Sequence, residues 1–290
     1  MLTKPRQIVL DKSAFQGIRL DSLCSFAKQH LLLASDSLFY ECATAEKSER
    51  QDPADLLAKY ECLIKGGAYY CSMSRRFVEW ECRHCRPYSW FLPDLAATVQ
   101  IRTGEKHPAD LLHSSTYGEM SQPHYKVAKA ILNVSEKVKN RIDIEDPLVG
   151  EAIRQLPSNR YERFRILFES VDSSNLHQMC VDSVRCDWIK NEEQFCLSPE
   201  WMTWQSRRLT DVIGGNYHYL RQTGGRRGEE GAEHDCQDME YVLLLSRADG
   251  IITRDKKLVE PLARAAFPEK DVFSCLKEVP ESYRCDSTNP

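Results

Sequence analysis

The sequence predicts an α/β fold on a central parallel sheet, and three observations carry that prediction. Short apolar runs of strand length occur at both ends of the chain, at residues 7–10, 31–34 and 251–253, as expected of strands buried on both faces. Segments with helical apolar spacing separate them. Strands and helices that alternate in this way imply parallel pairing. The 290 residues are 42% hydrophobic and 28% charged, the composition of a globular chain long enough for one large or two ordinary domains.

Taken in order, residues 7–10 form a strand ending on Asp11, and Lys12, Ser13 and Ala14 lead into a helix through Ala27. Residues 31–34 form a second buried strand. Ser35, Asp36 and Ser37 follow as cap residues for a helix carrying Leu38, Phe39, Tyr40 and Glu41. Helical spacing returns over residues 52–65, 123–141, 147–156, 160–171 and 199–222. Residues 80–104, with Pro87 and Pro93, are expected to be irregular, with a strand at 97–102. The Gly-rich stretch GGRRGEEGAEHD, residues 224–235, is expected to be a mobile loop. Residues 238–255, DMEYVLLLSRADGIITRD, read as a buried helix opened by Asp238, a turn at Asp249 and Gly250, and a strand that ends on Asp255. Residues 271–276 supply a last strand. Neither residues 1–50 nor 231–290 can bury a sheet alone. The two ends are expected to close as one domain around a mostly helical insertion over 51–230.

A net charge of −4 argues against broad, nonspecific coating of DNA. It is compatible with a metal-holding carboxylate cluster beside separate basic residues. The opening MLTKPRQIVLD has no apolar leader, and no apolar run reaches membrane-span length, so a cytoplasmic protein without membrane association is expected. The 12 cysteines then read as reduced, largely buried thiols. A zinc site from Cys62, Cys71, Cys82 and Cys85 is the alternative, with irregular spacing against it.

Four acids stand at equivalent places: Asp11 after the first strand, Glu41 on the helix after the second, Asp238 at a helix start, and Asp255 after a late strand. In a parallel sheet all four project toward the crevice at the strand C-termini, where ligands bind. Each has an ordinary reading beside this one, a helix cap for Asp11, Asp238 and Asp255 and a solvated helix face for Glu41. Their joint occurrence at strand ends points instead to a site for a hard divalent cation, Mg²⁺ or Mn²⁺. Asp36, Asp235 and Asp249 rank lower, Asp36 as a cap and Asp249 as a turn residue.

IVLDKS (residues 8–13), SLFYE (37–41) and above all DMEYVLLLSRADGIITRD resemble the PIN domain family of metal-dependent nucleases. The resemblance covers roughly the first fifty and last fifty residues; the long middle departs from the family. It implies a PIN-like three-layer α/β fold and hydrolysis of phosphodiester bonds in RNA, or in DNA, by metal-bound water. Asp11, Glu41, Asp238 and Asp255 would be both catalytic residues and metal ligands, supported by Ser13 and Thr253. Arg254, Lys256 and Lys257 beside the crevice, and Arg226 and Arg227 on the loop, are the candidate contacts to the nucleic-acid backbone. Trp201, Trp204, Tyr217 and Tyr219 offer base-stacking surfaces, although aromatics at helical spacing belong more often to a core. Two rivals remain. One is a catalytically inactive PIN-like scaffolding module; the other is a phosphatase of the haloacid dehalogenase type, which would require an Asp where Ser13 stands.

Overall fold

The computed structural model describes residues 5–44, 52–88, 91–111, 151, 153–171, 198–224 and 229–285. Five strands, β1 (Gln7–Leu10), β2 (Leu31–Ser35), β3 (Tyr69–Cys71), β4 (Gly250–Ile252) and β5 (Asp271–Phe273), form one sheet in the order β3-β2-β1-β4-β5. Every pairing is parallel, with Ile8 opposite both Leu32 and Gly250. β1, β2 and β4 are buried at every position, which is why their sequences are runs rather than alternations. Gly250 is required by close approach: a Cβ there would stand 2.9 Å from the Phe273 ring and 3.2 Å from the Asp271 carbonyl oxygen.

Around the sheet lie α1 (Lys12–Gly17), α2 (Leu20–Ala27), α3 (Asp36–Ala43), α4 (Pro53–Lys65), α5 (Ser74–His84), α6 (Leu95–Thr103) and α7 (Pro108–Leu111). The later helices are α8 (Arg160–Val171), α9 (Met202–Gln222), α10 (Glu229–Leu245) and α11 (Val259–Ala266). α10 packs over β1 and β4 and touches α3, α5, α9 and α11; α8 lies against α9 and α11. Tyr241, Val242, Leu244 and Leu245 of α10 join Leu10, Phe15 and Ile251 in one buried core. Among the described residues no helix is long and apolar enough to cross a membrane.

The structure departs from the sequence reading in several places. Residues 97–102 are helical, not a strand. Asp94 caps α6 by accepting from the Ala97 amide at 2.9 Å, and Gly104 ends it in the left-handed region at φ 74°. The β-branched residues that imitated a strand have a different use. Thr98 Oγ1 accepts from the Tyr70 amide at 3.0 Å while the Asp94 amide donates to the Tyr70 carbonyl at 2.9 Å, so α6 satisfies the edge of β3. With the end of α5 before it, the range 80–104 is helical over 80–84 and 95–103; the described residues between them, Pro87 and Pro93 included, are irregular as expected. Residues 229–235 belong to α10 rather than to a loop. Ala232 and Cys236 are fully buried, and that packing outweighs the helix-breaking tendency of Gly231. Asp238 therefore lies inside a helix and does not open one. The last strand stops at Phe273 because the Ser274 amide and hydroxyl both turn to the Glu278 carboxylate, each at 2.6 Å. The range 51–230, read as an insertion, supplies edge strand β3. The helix expected over 123–141 and part of that over 147–156 lie outside the described residues.

Candidate functional site

In this strand order the chain leaves β1 toward β2 on one side and leaves β4 toward β5 on the other. The sheet thus has its switch point between β1 and β4, and a crevice opens there at the strand C-termini. Asp11 follows β1; Thr253 and Asp255 follow β4. The backbone joins the two strand ends through the Asp11 amide, which donates to the Ile252 carbonyl at 3.2 Å.

Side chains complete the connection. Asp11 Oδ1 accepts from Ser13 Oγ and from the Ala14 amide, both at 2.8 Å, and Oδ2 accepts from Thr253 Oγ1. Thr253 Oγ1 accepts in turn from the Asp255 amide at 3.0 Å, and Ser13 Oγ accepts from the Arg254 amide at 2.8 Å. Ser13 and Thr253 therefore each bridge the two strand ends. Burial pushes the Asp11 carboxyl up to about 6. The bonds from Thr253, Ala14 and Ser13 oppose that rise, and Asp255 adds to it.

Glu41 on α3 is buried and accepts from Tyr241 Oη at 3.1 Å. Asp238 comes from the middle of α10. Its carboxyl is raised well above the ordinary range, first by burial and then by Glu41, Asp255 and Asp11 in that order, with Asp235 after them. Asp238 thus lies within electrostatic reach of the other three sequence-predicted acids. The cap reading also holds for one of them: Asp11 caps α1. Asp255 does not cap α11, whose N-cap is Leu258; it accepts from the amides of Lys257 at 2.6 Å, Leu258 at 3.2 Å and Val259 at 3.4 Å in the turn that leads into α11.

A divalent cation can be weighed against this donor set. Among the described residues no group of three or more His, Cys, Asp or Glu side chains is arranged to close on a metal ion. The chemistry of the set nonetheless fits one. Several carboxylates share a buried crevice, and that charge has to be neutralised by protons or by a cation. A carboxylate oxygen that accepts one hydrogen bond keeps a further lone pair for a ligand.

The remaining residues sort themselves by surroundings. Arg254 is exposed, and its Nη1 donates to the Gly17 carbonyl at 2.7 Å; Lys256 and Lys257 are exposed beside Asp255. Arg226 and Arg227 lie outside the described residues. Trp201, Tyr217 and Tyr219 are buried and belong to the core, not to a stacking surface. Cys62 is exposed on α4, Cys71 is buried in β3, and Cys82 faces Thr203 Oγ1 at 3.9 Å, so the four cysteines are not gathered at one point. Asp36 is not a cap, since Ser35 caps α3; its carboxylate is buried against Tyr70 Oη and the Met73 amide. Asp249 turns at the opposite end of the sheet, accepting from the Gln7 amide at 2.8 Å.

Two contributors were not singled out as site residues. Asp235, one turn before Asp238, is buried and accepts from Tyr217 Oη at 2.5 Å. Tyr241, one turn after Asp238, is fully buried and donates to Glu41. Their spacing on α10 puts both on the face of Asp238; for Tyr241 a hydroxyl inside the apolar segment 239–245 was the available signal, whereas Asp235 lies among polar residues that give none. Comparison with protein-family models, with curated proteins and with solved structures returns no significant match.

Proposed function

We propose that this chain is a PIN-like, Mg²⁺- or Mn²⁺-dependent nuclease that hydrolyses phosphodiester bonds, with RNA as the expected substrate and DNA as the alternative. The observation that supports the reading is the bond from Thr253 to Asp11 across the ends of β1 and β4 at the switch-point crevice, with Glu41 of α3 held by Tyr241, one turn from Asp238 on α10. These four residues would hold the cation, which when bound supplies activation of water and neutralises charge on the phosphodiester. Ser13 and Thr253 fix the Asp11 carboxylate and so hold a ligand in place before anything binds. Lys256, Lys257 and Arg254 border the crevice with positive charge for phosphate oxygens. The inactive scaffolding module keeps two observations in its favour: the Asp11 and Asp255 carboxylates are engaged by backbone amides, and no closed ligand set exists among the described residues.

The test incubates the purified chain with labelled single-stranded RNA and DNA in the presence of Mg²⁺ or Mn²⁺ and of EDTA. Wild type should cleave only with the cation, and Asp11→Asn and Asp238→Asn should each lose at least about 100-fold in rate. Equal cleavage by all three rules out this site. Absence of cleavage with retained RNA binding selects the scaffolding module.

A further inference from the structure

Tyr241 is the one hydroxyl-bearing residue in the apolar core of α10 between Asp238 and Leu245, and it has no exposed surface. A phenylalanine would fill the same space without a polar atom to desolvate, so the buried hydroxyl makes sense only through its partner. That partner is Glu41 Oε2 at 3.1 Å, on a residue 200 positions away in sequence. Glu41 is itself buried, and a buried carboxylate is tolerated when hydrogen bonds hold it. The bond joins α3 to α10 where those helices touch, with Asp238 one turn away on the same helix. Carboxylates that take metal ions are themselves oriented by such outer partners.

We propose that Tyr241 is a positioning residue: by holding one oxygen of Glu41 it sets that carboxylate to take a divalent cation together with Asp238 and Asp11. The inference rests on the cation-dependent reading of the site given above. It assigns Tyr241 no contact with substrate.

The probe is Mn²⁺ alone, titrated into the full-length chain, with free ion followed by electron paramagnetic resonance and each chain's fold followed by thermal melting. The four chains are wild type, Tyr241→Phe, Glu41→Gln and the double variant. Tyr241→Phe should weaken Mn²⁺ binding about 10-fold while still melting cooperatively. Glu41→Gln should weaken it as well, and the double variant should bind no worse than Glu41→Gln alone, because Tyr241 acts only through Glu41. Unchanged affinity in Tyr241→Phe overturns the proposal. So do losses that multiply in the double variant, or a Tyr241→Phe chain that no longer melts cooperatively, since the bond would then serve the fold. A well-folded wild type that binds no Mn²⁺ removes the cation reading itself; binding by wild type with equal binding by Tyr241→Phe removes the positioning role alone.

Discussion

At the scale of single residues, the carboxylates divide by what surrounds them. Asp36 is fully buried, and burial pushes its carboxyl up to about 6 although Tyr70, Arg76 and the Met73 amide pull it back. A carboxyl whose folded pKa lies above the ordinary 3.8 contributes stability that is complete below about pH 4 and is lost as the pH rises through about 6. Asp36→Asn removes that titration. Between pH 4 and 7 wild type should therefore lose up to about 3 kcal/mol relative to Asp36→Asn, read from urea unfolding at several pH values. A gap that stays constant or widens in wild type's favour contradicts the assignment. Sequence alone placed Asp36 as a cap because Ser35, Asp36 and Ser37 are all good caps, and only the fold shows which one faces Tyr70. The positions of Asp11 and Asp255 in the fold were legible because strands end just before them, and that of Glu41 because a helix follows β2. Tyr241 and Asp235 were not, since their partners come from α3 and α9.

At the scale of elements, α9 begins without a side-chain cap of its own: the side chain of Trp201 at its N-cap makes no capping bond. Glu81 of α5, fully buried, supplies one from a distance. Its Oε1 accepts from the amides of Met202 and Tyr88, both at 2.9 Å, and from Arg247 at 3.3 Å; its Oε2 accepts from the Thr203 amide and hydroxyl, both at 2.8 Å. One carboxylate thus ties α9, the turn after α5, and the end of α10 together. Glu81→Gln turns one acceptor into a donor facing donors and leaves Arg247 without its charge partner. It should cost about 3 kcal/mol, measured as a lower denaturation midpoint with an unchanged slope. A loss below about 1 kcal/mol would show that Glu81 is dispensable to the packing. This junction is part of why the helices between residues 80 and 104 were not legible: Glu81 takes partners from α9 and from Arg247, more than a hundred positions away, and Asp94 and Thr98 take theirs from β3. The elements that were legible, β1, β2, β4 and α8, carry their own pattern, an unbroken apolar run or a helical period. The start of α10 was hidden because Gly231 sits in a segment whose helical state comes from packing on α9 and the sheet.

At the scale of the whole molecule, the sheet is assembled from distant parts of the chain. β1 lies at its centre, with β2 from the same end of the sequence on one side and β4 from the far end on the other. The crevice exists only when β1 and β4 pair, because Asp11 and Thr253 come from opposite sides of that junction. A chain cut after residue 150 leaves β1, β2 and β3 in one fragment and β4, β5, α8, α9, α10 and α11 in the other. The first fragment then lacks α10, which covers β1, and exposes one edge of a fully buried strand; the second has two strands and no central one. A two-stranded parallel sheet does not stand alone. Neither fragment should show a cooperative thermal transition by circular dichroism, and mixing the two at equal concentration should restore one. On the proposed cation-dependent reading, recovery should also restore Mn²⁺ binding, because Asp11 and Glu41 lie in one fragment and Asp238 and Asp255 in the other. A cooperative melt from either fragment alone would mean that the chain holds two separable domains, and the mixed sample would have to be read as their sum.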